Sequence, residues 1–71
     1  MRLRVDNPAF LPELLEFIER RGGVVATTSE NELEAGLLGS YASHQAMRMQ
    51  LYLLVRAWEA DRAGAMVEIV G

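Results

Sequence analysis

Gly22-Gly23-Val24-Val25-Ala26-Thr27-Thr28-Ser29-Glu30-Asn31-Glu32-Leu33-Glu34-Ala35-Gly36-Leu37-Leu38-Gly39 holds two strand-like runs around one turn, and the rest of the chain is arranged about them. Val24 to Thr28 is β-branched apart from Ala26 and follows a glycine pair, the composition of a strand. Ser29-Glu30-Asn31 supplies turn chemistry. From Glu32 the chain alternates, with Leu33, Ala35 and Leu37 on one side and Glu32, Glu34 and Gly36 on the other, until Gly39 closes the run. A period of two fits a strand with one face in a core and one in water. A hairpin of strands two and three is therefore predicted.

Upstream of the hairpin lies a helix with clear ends. Leu11, Leu14, Leu15 and Ile18 recur at helical spacing with Phe10 and Phe17 beside them, while Glu13, Glu16 and Glu19 take the other side. Asn7 and Pro8 read as cap and first position, but Pro12 would remove a ladder hydrogen bond from a helix begun there. A short turn at Pro8 to Phe10 is therefore expected, with the regular helix starting at Leu11 or Pro12. Glu16 and Arg20 are spaced to pair across one turn, and Gly22-Gly23 provides the left-handed exit. Before this helix, Leu3 and Val5 alternate with Arg2 and Arg4 as strand one.

Downstream, Ser40 or Ser43 can cap a second helix, which meets no Gly or Pro until Gly64. Twenty or more residues would span roughly 30 Å, longer than the 17–20 Å or so of an ordinary strand, so an overhang is expected. Ala65, Val67 and Ile69 then alternate with Met66 and Glu68 as strand four.

Strand, helix, strand, strand, helix, strand is two β-α-β units joined through a hairpin. Its most economical closure is a four-stranded antiparallel sheet in the order 4-1-3-2 with both helices on one face, the ferredoxin-like α+β sandwich. That order sets Arg2 and Arg4 beside Glu32 and Glu34, with Glu68 on the other flank. The segments RVDNPAFLPELLEFIERRG, NELEAGLLGS and LYLLVRAWE give the chain a resemblance to short single-domain βαββαβ proteins of high-GC bacteria. The resemblance covers most of the chain, implies the same fold and carries no site residues.

Seventy-one residues allow one domain, residues 1–71. A core this small contributes only about 3–5 kcal/mol unless disulfides, a metal or oligomerisation add to it. The chain has no cysteine, which removes disulfides and thiolate metal sites. No signal-like block follows Met1, and the most apolar stretch, Ala46 to Trp58, is interrupted by Arg48, Gln50 and Arg56. A soluble, cytoplasmic protein that does not enter membranes is expected. A net charge of −3, a pI near 5.0 and seven basic residues that are all Arg argue against nucleic acid as a partner. Strands one and three also lack the aromatics with which a sheet of this topology stacks bases.

No residue is nominated as catalytic, cofactor-binding or metal-binding, and no cofactor is expected. The serines sit in no nucleophile elbow, no glycine-rich loop joins a strand to a helix, and Asp6-Asn7-Pro8 after strand one offers neither a phosphate cradle nor paired cysteines. His44 is the one histidine and has no acidic residue three or four positions away; its wheel position points to the core, as a packed or capping residue.

The second helix is apolar twice over. About Leu51, the residues Met47, Leu54, Val55 and Trp58 form an inward stripe, and Ala42, Ala46, Met49, Leu53 and Ala60 fall on the opposite side, broken mainly by Arg56. Tyr41, Gln45, Arg48, Tyr52 and Glu59 lie along one flank between the stripes. A helix covering one sheet has no need of hydrocarbon on its far side, and such patches mark interfaces. The expectation is a non-enzymatic interaction module that forms a homodimer through Ala42, Ala46, Met49, Leu53, Arg56 and Ala60, with room for a protein partner. The competing expectation is a small-molecule-binding regulatory domain shaped like amino-acid-sensing domains, with its ligand at a dimer edge.

Overall fold

The computed structural model describes residues 1–37 and 43–70. β1 (Arg2–Val5) leads through a 3-10 turn at Pro8–Phe10 into α1 (Leu11–Arg20). β2 (Gly23–Thr27) and β3 (Glu32–Leu37) form the hairpin, followed by α2 (His44–Ala60) and β4 (Val67–Ile69). The sheet runs β2-β3-β1-β4 with every neighbouring pair antiparallel, the ferredoxin-like order expected from the sequence. α1 packs over β2 and β3, and α2 over β3 and β4.

The local chemistry explains the entry to α1. Asn7 Oδ1 accepts from the Ala9 N–H at 3.0 Å, and Phe10 N–H donates to the Asn7 carbonyl at 3.0 Å. The 3-10 turn that results sets Pro12 in the first turn of α1, where no intrahelical donor is lost. At the exit, Gly22 adopts φ +82, which a side chain would strain. Gly23 serves a different purpose: a Cβ there would overlap Ile18 Cγ2 and come within 2.8 Å of the Ile18 carbonyl oxygen. The glycine pair thus lets the last turn of α1 lie directly on the start of β2.

Leu3, Val5, Leu33, Ala35 and Val67 from the sheet meet Leu11, Leu14 and Ile18 of α1 and Leu51, Val55 and Trp58 of α2 in one cluster, all buried. Trp58 is the largest side chain of that core, and Phe10 packs edge-on against it at 6.1 Å between centroids. The indole Nε1 finds no acceptor among the described residues. The far face of the sheet is charged across β1, β3 and β4, and these charges pair as the strand order requires. Register sets Arg2 opposite Glu34, and Arg4 opposite both Glu32 and Glu68. Arg4 Nε donates to Glu32 at 2.8 Å and its Nη1 to Glu68 at 3.4 Å. The Glu32 hydrogen bond and the charges of Glu32 and Glu68 hold the Arg4 guanidinium above its ordinary pKa.

Some boundaries differ from expectation. β2 begins one residue earlier and ends at Thr27 rather than Thr28. β4 begins at Val67, and Ala65, expected in it, is buried in the approach instead. α2 has 17 described residues, about 25 Å at 1.5 Å each, and not 20 or more. Its last turn tightens, with Asp61 N–H donating to the Trp58 carbonyl at 3.2 Å and Arg62 N–H to that of Glu59 at 3.1 Å, so the chain leaves the helix before Gly64 (φ +83). Ser43 is the cap, its Oγ accepting from the Ala46 N–H at 3.1 Å; Ser40, Gly39, Tyr41 and Ala42 lie outside the described residues.

Candidate self-association face

α2 sorts its side chains into three directions. Leu51, Val55 and Trp58 are fully buried toward the sheet, with Met47 and Leu54 half-buried beside them. Met47 Sδ lies 3.3 Å from the Leu37 N–H, which places the first full turn of α2 over the end of β3. His44, expected to point to the core, is exposed. It is the first residue of α2, at the end of the helix, and a helical wheel does not register where a helix starts relative to the sheet it covers.

The second direction is a polar flank turned to β4. Glu59 Oε2 accepts from the Val67 N–H at 2.5 Å, and Arg56 Nη1 donates to the Val67 carbonyl at 3.0 Å and to Glu59 Oε1 at 2.7 Å. Tyr52 completes this cluster, its ring 5.0 Å from the Arg56 guanidinium. Hydrogen bonding to Glu59 and then to Tyr52 raises the Arg56 pKa above its ordinary value. Gln45, Arg48 and Tyr52 continue the flank and, with Met1, Met49 and Ile69, line an open groove of about 510 Å³ between α2 and β4. The sequence grouped Tyr41, Gln45, Arg48, Tyr52 and Glu59; Tyr41 lies outside the described residues, and the fold keeps the other four on one flank in two separate roles.

The third direction faces away from the sheet. Met49 is 56% exposed and Leu53 54%, with Tyr52 at 40% beside them. Ala57 and Ala60 are exposed and Ala46 half-buried. Met49 and Leu53 are successive outward positions four residues apart, so they touch the same solvent. Of the expected interface residues, Ala46, Met49, Leu53 and Ala60 thus lie on or beside one strip. Arg56 reaches away from it to the β4 backbone, and Ala42 lies outside the described residues.

The role of Arg56 and Glu59 was not legible in the sequence. Their i,i+3 spacing signals a helical ion pair, but the backbone they hold belongs to a strand eight or more residues later. Among the described residues no group of three His, Asp or Glu side chains is placed to hold a metal, and no helix is long and apolar enough to cross a membrane. No family model matches this chain, and no curated protein or solved structure matches it either.

Proposed function

We propose that the protein is a non-enzymatic self-association module in which the outward strip of α2 packs against its symmetry mate. The observation that carries this reading is the contiguous exposure of Met49, Tyr52 and Leu53 on a helix whose opposite side is already buried. Exposed side chains of this size, adjacent and backed by the small residues Ala46, Ala57 and Ala60, suit close helix–helix contact. A two-fold axis near Met49 and Leu53 makes the strip self-complementary. It also adds to a core that, at this chain length, contributes only about 3–5 kcal/mol by itself.

Sedimentation equilibrium on the wild type and on Leu53→Glu tests the reading. The wild type is expected as a dimer at tens of micromolar and the variant as a folded monomer with an unchanged circular dichroism spectrum. A monomeric wild type at that concentration refutes it.

A second reading rests on the groove between α2 and β4. Arg48, Gln45 and Tyr52 converge there over the apolar Met1 and Ile69, the mixture a small ligand uses. Because Met49 belongs to both groove and strip, a bound mate would wall the groove and make a regulatory small-molecule site at the dimer edge. A thermal-shift panel of metabolites separates the readings, since native-state binding raises the melting temperature saturably.

A further inference from the structure

The two edges of the sheet are finished differently. Asp6 N–H donates to the Met66 carbonyl and Val70 N–H to that of Arg2, so Met66, Glu68 and Val70 face β1 while Val67 and Ile69 turn their backbone outward. At Val67 both outward groups are occupied, the N–H by Glu59 and the carbonyl by Arg56. Two side chains of α2 therefore stand where a further strand would pair, a device that closes an edge.

Among the described residues β2 has no such cover. Thr28 N–H donates to the Glu32 carbonyl at 3.0 Å, and by alternation Ala26 and Val24 also face β3, leaving Gly23, Val25 and Thr27 with outward backbone groups. Val25 and Thr27 make no hydrogen bond on that side among the described residues. The strand carries no charge, and Val24, 54% exposed, stands on its open face beside Ala26. On its helix side runs a groove of about 560 Å³, with Leu11, Pro12 and Leu15 as apolar wall and Glu16, Glu19 and Glu30 at the rim. Glu16 is paired to Arg20, whereas Glu19 and Glu30 make no ion pair among the described residues.

We propose that the β2 edge is a strand-addition site for an extended peptide segment in which basic and apolar residues alternate. An added strand would take its main-chain hydrogen bonds from Val25 and Thr27, and its side chains would alternate between the two faces of the sheet. On the open face they meet Val24 and Ala26, which calls for apolar residues. On the helix face they run along Leu11 and Leu15 toward carboxylates, which suits Arg or Lys: the aliphatic stem covers the leucines and the charged head reaches Glu19 and Glu30. The same carboxylates disfavour a second copy of this chain at the edge. A two-fold pairing of β2 with itself would gather Glu16, Glu19 and Glu30 from both copies along one seam, with no basic residue on β2 to answer them. The β2 edge and the α2 strip lie on different surfaces and share no residue.

The probe is a blocked hexapeptide alternating Arg and Val, carrying a fluorophore, with two comparators: one with Glu in place of Arg, and one with the same residues in blocks of three. Saturable binding of the alternating basic peptide, at least about tenfold tighter than either comparator, is expected. Hydrogen exchange at the Val25 and Thr27 amides should slow in the complex. Thr27→Pro removes only an outward N–H on an exposed residue and should abolish binding while the fold is kept. Glu19→Arg with Glu30→Arg, both at exposed positions, should reverse the preference toward the acidic peptide. Equal binding of the alternating and block peptides, no binding of either, or a change in the protein's own association state in Thr27→Pro each overturns the proposal; the last would assign the edge to a second copy.

Discussion

Around α1 the positions turned from the sheet hold the charged Glu13, Glu16, Glu19 and Arg20, with Glu16 paired to Arg20 and Glu13 to Arg62 just beyond α2. Around α2 the equivalent positions hold Met49, Leu53 and Ala60, apolar and exposed. Both helices bury the same kind of inward stripe against the same sheet. The difference lies wholly on their far sides, so it does not arise from the needs of the fold. A helix that only covers a sheet has the surface of α1, and the apolar far side of α2 is what the proposed self-association uses.

The largest effect is expected on the inner side of α2. Trp58→Ala empties the largest buried site and loses the Phe10 edge contact, a change that costs about 3–5 kcal/mol in cores of this kind. That equals the whole stability expected of so short a chain, so the variant should be unfolded at room temperature by circular dichroism. By contrast, Leu53→Glu on the far side should leave stability within about 0.5 kcal/mol of the parent monomer. A large loss of monomer stability in Leu53→Glu would show that the two sides of α2 are not independent.

A smaller effect is expected where α1 meets β2. Gly23→Ala drives a methyl group into Ile18, and overpacking of this sort costs about 1–3 kcal/mol, measurable as a lower urea midpoint at constant slope. Smaller again is Ser43→Ala, which leaves the Ala46 N–H without its acceptor and should cost about 1 kcal/mol. Because α2 contributes both the core face and the outward strip, Ser43→Ala should also weaken self-association; a cap loss that lowers the melting temperature without touching association would separate the two roles.

The features legible in the sequence were those set by short-range periodicity. Leu33, Ala35, Glu32 and Glu34 announced the faces of β3, and the strand order then placed Arg2 and Arg4 among carboxylates where the structure has them. Asn7, Pro8 and Pro12 announced a short turn before α1, which the structure has as a 3-10 turn, because proline geometry and capping are local matters. His44 shows the limit. Its angle on a helical wheel is a property of the sequence, but whether that angle meets a sheet or water depends on where α2 begins relative to β3.

The amino-acid pattern alone was enough for the element order and for the inward and outward faces of β1, β3 and α1, because alternation at two and at 3.6 residues is enforced residue by residue by the backbone, and short connections then left the sheet order few alternatives. Only the tertiary structure decided how the two sheet edges are finished. Arg56 and Glu59 close β4 at Val67, and the carboxylates of α1 and the β2–β3 turn border an open β2, because these contacts join segments far apart in the chain whose meeting depends on the packed orientation of both helices.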